Sequence, residues 1–417
     1  MCLLWILLVG HHLHQITAFV ITSDHGTTLY STTNMCKESS RRQNISEISS
    51  SSEWYHVPRN SLLHKHDEDA KQIMRGCDAI VTTLNINDNK LQPGIWARTF
   101  HPQSTNELHA LTQQDGMSSS TSVPIEAIEA IEITHRWSSN FVRQLALCPW
   151  AGSSLDTLGA IRYWVLLVHH DEDTPVIRKS QYNKNAAIFE RMEDVIREAS
   201  EHLKQITSRT SRDDNGIDRV DPSVAISFVI LVDTTTPTSS EPTSPSQQVT
   251  STQLLPDFSS FYQFSLNLED RLLDECDEYC DEIDDQQSDV KDGIIDDNVP
   301  LGCEITTAAF HPLWQFGKDN EKDDNTVQPI DYEKRTPYPT ISCVMTSAID
   351  VLMNESTNSD NSVREEHTDG FLPSAPVTER IAALNEKTLN GIGIQRLKEL
   401  FITEVLQCPM KKKSLDE

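Results

Sequence analysis

Two residues in this chain have side chains suited to bond-making or proton transfer, and three more could hold what they act on. Cys148 carries a thiol, which becomes a nucleophile or a redox centre once a base removes its proton. His311 carries an imidazole, whose charge changes near neutral pH and which therefore suits acid–base work. Arg335 presents a planar fork of donors that matches a carboxylate or a phosphate. Gln315 and Tyr338 lie in the same proline-rich stretch, so a loop folded back over His311 would gather Gln315, Arg335 and Tyr338 into a pocket for a small anion. Each residue also has a structural reading. Cys148 falls on an apolar stripe and could simply be packed. His311 could cap backbone groups in a rigid turn shaped by Pro312, Pro337 and Pro339. Of the two, His311 is the stronger candidate.

Other groupings carry less. His169, His170, Asp233 and His311 have the chemistry of metal ligands but no close-spaced ligand motif, so no metal is assigned. Cys276 and Cys280 are four apart on one helical face and read as packing. The acidic run from Asp281 to Asp297 lacks the spacing of a calcium loop and reads as solvated. His64 and His66 sit in a polar segment. The nine cysteines are scattered and include no CxxC pair, which argues against a disulfide scaffold and a zinc ribbon. The residues name no cofactor.

The elements that must position these groups follow from periodicity. Ile133, Trp137, Phe141, Leu145 and Cys148 repeat every three or four residues, one helix face, which Pro149 ends. Ile161–Val168 and Val224–Val232 are near-continuous apolar runs and read as buried strands. Between them Phe189, Met192, Ile196, Ala199, Leu203 and Ile206 mark an amphipathic helix. Leu268, Leu272, Cys276, Tyr279 and Ile283 mark another. Glu304–Phe310 is a third strand, and Thr340–Met345 is a fourth strand or a helix start. Two short helices follow, broken around Gly391 and Gly393, the second with Ile394, Leu397, Phe401, Val405 and Cys408 on one face. This alternation predicts an α/β fold: a small, mainly parallel sheet of three to four strands flanked by helices. The alternative is an α+β ferredoxin-like sandwich, with the later strands antiparallel. In the first arrangement ligands bind at the carboxyl ends of the strands, where His169, His170, Asp233 and His311 fall.

Several segments, in a shared order, resemble one family, catalogued as domain of unknown function 1415 and known mostly from bacteria. Thr134-His135-Arg136-Trp137 and Leu147-Cys148-Pro149-Trp150-Ala151 look like its opening helix and its Leu-Cys-Pro-aromatic motif. Ile161-Arg162-Tyr163 looks like its first strand, and Asp257-Phe258 with Phe261 to Phe264 like the start of its next helix. Phe310-His311-Pro312 with Gln315-Phe316, and Arg335-Thr336-Pro337-Tyr338-Pro339, look like two further motifs. Two features depart from the family: Asp233 replaces a His-Pro after the second strand, and Glu379-Arg380 is followed by Ile381 rather than Asn. The resemblance implies no reaction and no cofactor.

Composition sets the remaining limits. Acidic residues outnumber basic ones 63 to 35, a net charge of −28 that repels phosphate backbones and disfavours nucleic acid as a partner. Leu3–Gly10 is apolar and the length of a signal core, too short to span a membrane, with a cleavage point after Ala18. A Ser/Thr-rich stretch with Arg41 and Arg42 follows, and together they resemble an algal plastid presequence; the alternative is a secretory signal, under which the sequons at Asn44 and Asn354 would matter. The organisation is therefore a leader over 1–18, a transit-like segment over 19–52, a polar and partly disordered linker over 53–123, an α/β core over 124–408 and a charged tail over 409–417. Two Ser/Thr/Pro-rich or polar stretches, 233–256 and 355–369, interrupt the core as disordered insertions. No transmembrane segment is expected in the mature protein. The functional expectation is an enzyme of small-molecule metabolism acting on an anionic substrate. The alternative is a non-catalytic metabolite-binding or protein-interaction module, and nothing in the residues alone decides whether the chain is catalytic.

Overall fold

The computed structural model describes residues 54–59, 76–86, 90–99, 122–169, 181–207, 220–234, 256–286, 299–316, 327–347 and 377–407. The leader, the transit-like segment, His64, His66, His170, Cys408, the tail and most of both insertions lie outside them. The chain divides into two compact units, Met1–Ser52 with Gln315–Asn325, and Glu53–Trp314 with Thr326–Glu417. The second holds the sheet and its helices.

The fold is α/β. The described residues form seven strands: β1 (Trp54–Pro58), β2 (Cys77–Asn85), β3 (Lys90–Thr99), β4 (Ile161–His169), β5 (Ile226–Asp233), β6 (Ile305–Phe310) and β7 (Thr340–Met345). Their order across one sheet is β1-β3-β2-β4-β5-β7-β6. β4 pairs in parallel with both β2 and β5, and every other pairing is antiparallel. The sheet is thus larger than the expected three to four strands and mixed rather than mainly parallel. Its parallel pairs and its strand order also depart from a ferredoxin-like sandwich.

The extra strands come from the stretch read as a linker, so the core begins near Glu53 and not at 124. That misreading has a physical source. β3 contains Pro93-Gly94, which argue against a strand, and β1 has five residues. β2 carries Thr82 and Thr83, polar by composition yet fully buried, because a β-branched threonine packs well on a pleated surface. β7 is a strand and not a helix start. It inserts between β5 and β6, with Thr340 level with Ile230 on one side and Phe310 on the other.

Seven helices accompany the sheet among the described residues: α1 (Ile125–Arg136), α2 (Ala151–Asp156), α3 (Gln181–Thr207), α4 (Phe258–Gln286), α5 (Leu301–Glu304), α6 (Val377–Ile392) and α7 (Ile394–Leu400). One face of the sheet is covered by α1, α6 and α7 over a core that includes Trp137, Phe141, Tyr163, Val165, Phe228, Ile230, Leu389, Leu397 and Val405. The other is covered by α3, whose Ile188, Met192, Ile196, Ala199 and Leu203 are fully buried, and by α4, whose Phe264 stacks on Phe189 of α3 with ring centroids 4.6 Å apart. On β4 the alternation is visible directly: Tyr163 and Val165 join the first core, while Trp164 meets His202 of α3.

The first predicted helix starts earlier and ends earlier than its periodicity implies. After α1 the backbone widens into a π-helical turn over Trp137–Val142, and Ala146 then takes a left-handed φ of 52° before Cys148. Residues Leu145 and Cys148 continue the apolar spacing only because they pack on the same core from a turn. Cys280 is exposed and Cys276 partly so, which overturns the reading of this pair as packing against the sheet. Gly302 shows a close approach: a Cβ there would lie 1.7 Å from the Leu272 carbonyl oxygen, so only glycine lets α5 meet α4.

Candidate functional site

His311 is 0 % exposed at the end of β6. Its ring lies among aromatic neighbours, 5.4 Å from Phe258 and 5.3 Å from Phe261, both on α4. Both nitrogens are used. Nε2 donates to the Pro256 carbonyl over 3.4 Å, and Nδ1 accepts from the Leu313 N–H at 3.1 Å. Burial pushes its pKa down to about 4, the Arg335 charge adding to the fall while the Pro256 carbonyl and Asp257 oppose it. A neutral ring with both nitrogens on backbone ties the β6 turn to the start of α4. That is the capping arrangement, and it leaves no nitrogen for a substrate.

The loop before β7 crosses the carboxyl end of the sheet. The His311 N–H donates to the Lys334 carbonyl at 3.0 Å, and the Leu231 N–H to the Pro339 carbonyl at 2.9 Å. Arg335 donates from Nε to the Trp314 carbonyl at 3.1 Å, and its guanidinium carbon lies 5.3 Å from the centre of the Tyr332 ring. Lys334 holds its ammonium 4.9 Å from the centre of Phe310. Among the described residues neither cation forms an ion pair; Glu269 and Glu333, both pushed up by burial, meet Lys334 only through space. Tyr338 packs on the first core, within the fields of Glu129 and Arg136 of α1. Gln315 belongs to the other unit of the chain.

Cys148 lies on the first face, packed against the core, whereas His311 packs with α4 on the other. The sheet stands between them, so the two do not form a nucleophile–base pair. Burial raises the Cys148 pKa, opposed by the Trp150 and Ala151 N–H groups and by the Lys334 charge. The loop is held from α6: the buried Asn385 amide donates to the Leu147 carbonyl and to Glu333 Oε1, both at 2.9 Å.

A second polar group was not singled out as chemistry from the sequence. Arg98 of β3 makes a two-pronged pair with Asp78 of β2, Nε to Oδ1 and Nη2 to Oδ2, both at 3.0 Å. A bulge between Cys77 and Ala79 turns Asp78 toward it. The Arg98 guanidinium also lies 5.3 Å from the centre of the Trp54 ring. Beside this pair, His135 Nδ1 is 2.8 Å from the Tyr163 hydroxyl. Burial lowers the His135 pKa, and the Arg98 charge lowers it further. The signal was present in Thr134-His135-Arg136-Trp137 and Ile161-Arg162-Tyr163, but the partners from β2 and β3 sat in sequence read as linker.

The chain matches no family model, no curated protein and no solved structure. Its function must therefore be argued from its own geometry.

At the remaining strand ends His169 meets Thr234, Nδ1 to Oγ1 at 3.0 Å, and the Thr234 hydroxyl donates to the Val168 carbonyl at 2.9 Å. Among the described residues no group of three or more His, Cys, Asp or Glu is placed to hold a metal ion. No helix among them is long and apolar enough to cross a membrane.

Proposed function

We propose that this chain serves small-molecule metabolism by binding a small anion at the Lys334–Arg335 loop, in the manner of a metabolite-binding module. One observation carries this reading. Two consecutive cations stand at the carboxyl end of the sheet, and among the described residues neither has an ion-pair partner, in a chain with 63 acids against 35 bases. A carboxylate or phosphate on the ligand would pair with the Arg335 guanidinium and the Lys334 ammonium. Catalysis through His311 and Cys148 is not part of the proposal, because one is tied at both nitrogens and the other lies across the sheet. The net charge of −28 keeps nucleic acid outside the proposed ligands.

Membership in the family of domain of unknown function 1415 remains our reading of the motif residues. It is supported by the way those segments converge: Leu147 and Glu333, on two motif-bearing loops, share the Asn385 amide. Plastid targeting, or a secretory route as the alternative, is likewise proposed from the leader residues alone.

The test is a thermal-shift titration of the full chain with inorganic phosphate, citrate and sugar phosphates, beside Lys334→Ala and Arg335→Ala. Bound ligand raises the melting temperature by mass action, and each variant is expected to reduce the rise. An undiminished rise in both folded variants refutes the assignment. Conversion of a bound compound by the purified chain, seen by mass spectrometry, favours the enzyme reading.

A further inference from the structure

Three aromatic rings from separate parts of the sequence meet beside the Lys334–Arg335 loop. Phe141 belongs to the π-helical turn Trp137–Val142, and Phe401 to a second π-helical turn, Phe401–Leu406. Their ring centroids lie 5.5 Å apart, and Tyr332 completes the group at 6.1 Å from Phe141 and 5.8 Å from Phe401. Side chains fasten the two turns to each other. Arg136 Nε donates to the Val405 carbonyl at 3.0 Å, and the Asn140 amide to the Glu404 carbonyl at 3.2 Å. Within the first turn the Ser138 and Ser139 hydroxyls donate back to the Thr134 and His135 carbonyls at 3.2 and 2.8 Å, a kind of bond that loosens a regular helix.

Tyr332 stands on the 3-10 turn Pro329–Glu333, which the Gln328 N–H closes by donating to Asp331 Oδ2 at 2.8 Å. The residue is buried, and it also meets Arg335. The Arg335 guanidinium carbon lies 5.3 Å from the ring centre, and the guanidinium donates to the Tyr332 hydroxyl oxygen. The other hold on Arg335 is the bond from Nε to the Trp314 carbonyl at 3.1 Å. A guanidinium is flat, and one bond at Nε leaves its plane free to turn about that bond. A second contact fixes the plane, and with it the direction from which paired donors meet a carboxylate edge. The Lys334 ammonium needs no such aim, because its donors rotate about the end of a flexible stem.

We propose that Tyr332 is the positioning residue of the anion site: seated on Phe141 and Phe401, it sets the plane of the Arg335 fork. The inference rests on the reading of the Lys334–Arg335 loop as that site. The seat draws on well-separated segments of chain, since Asn385 of α6 also pins the turn through Glu333. Support of this kind is what holds a side chain on a loop in one geometry. Tyr332 acts through Arg335, so its effect on a ligand disappears when the fork is gone.

The test has a ligand-free arm and a ligand arm, both on the full chain. Tyr332→Phe keeps the ring between its neighbours and removes the hydroxyl. In the arginine side-chain NMR spectrum, the Arg335 Nε–H signal is assigned by its loss in Arg335→Lys. Its exchange with water should be about tenfold faster in Tyr332→Phe. An unchanged rate overturns the proposal. In calorimetry with citrate, Tyr332→Phe should weaken binding about fivefold in the natural chain and leave it unaltered in Arg335→Lys. An equal loss in both backgrounds would make Tyr332 a general support of the loop and overturns the positioning role, as does no loss in either. If the Arg335 signal responds as expected while the natural chain binds neither citrate nor phosphate, the reading of the loop as an anion site fails and the aim of the fork by Tyr332 stands.

Discussion

His311 and Pro256 are joined across 55 positions of sequence by one hydrogen bond, from the ring Nε2 to the carbonyl oxygen at 3.4 Å. The bond exists only while the ring is buried, and burial sets its titration. An unfolded histidine takes its proton near the ordinary value of 6.5, while the folded ring resists until about 4. Between those values the unfolded chain binds more protons than the folded one, so stability falls as pH falls through this window. The contribution lost is about 3 kcal/mol by linkage. Denaturant unfolding from pH 7 to pH 4 should give a steeper loss for the natural chain than for His311→Gln. Equal slopes would mean that the ring is solvated.

Asn385 should behave as a buried clasp. Replacing it with alanine strips the Leu147 carbonyl and Glu333 of a donor in a site that excludes water. The expected cost is about 2–3 kcal/mol, read as a shift of the urea midpoint without a change in slope. Asn385→Asp should cost more, because it sets a carboxylate against Glu333. A loss below the error of the midpoint would count against the clasp.

Ala146 offers the opposite sign. It is exposed, and its φ of 52° lies in the left-handed region that an L side chain resists. Ala146→Gly should stabilise the chain by about 1 kcal/mol, the relief of the Cβ outweighing the added freedom of the unfolded state. A lower melting temperature in differential scanning calorimetry would show that the turn is not strained.

Shortening the chain to 124–417 should fail to give a native monomer. β4 pairs with β2 from Tyr163 to His169, and the deletion would bare that row of backbone groups along with the apolar faces of a central strand. Analytical ultracentrifugation should find aggregate, whereas a chain beginning before Trp54 should sediment as one folded species. A monomeric, cooperatively unfolding 124–417 fragment would show that β1–β3 are dispensable.

The parts of the fold that were legible in sequence are those where burial is total. Ile161–Val168 and Val224–Val232 are apolar throughout because β4 and β5 are covered on both faces, and α3 shows its stripe because only one side of it meets the sheet. β2 and β3 escaped because threonines, a proline and a glycine stand where an apolar alternation was sought. The site was half legible for a related reason. A sequence shows that His311 and Arg335 fall near a strand end, but not how many nitrogens the backbone has already claimed. His135 shows the same limit: its neighbours Tyr163, Arg98 and Asp78 come from three strands, and only the sheet order assembles them.

The placement of β7 also governs when the molecule can be finished during its synthesis. β5 is complete at Asp233 and β6 at Phe310, yet they flank a strand that spans Thr340–Met345. A ribosome working from the amino end therefore releases β5 with one side unpaired and must add more than a hundred residues before that side is covered. Through that interval the nascent chain carries an apolar strand with a free edge, the feature that chaperones recognise and that pairs with neighbours when they arrive too late.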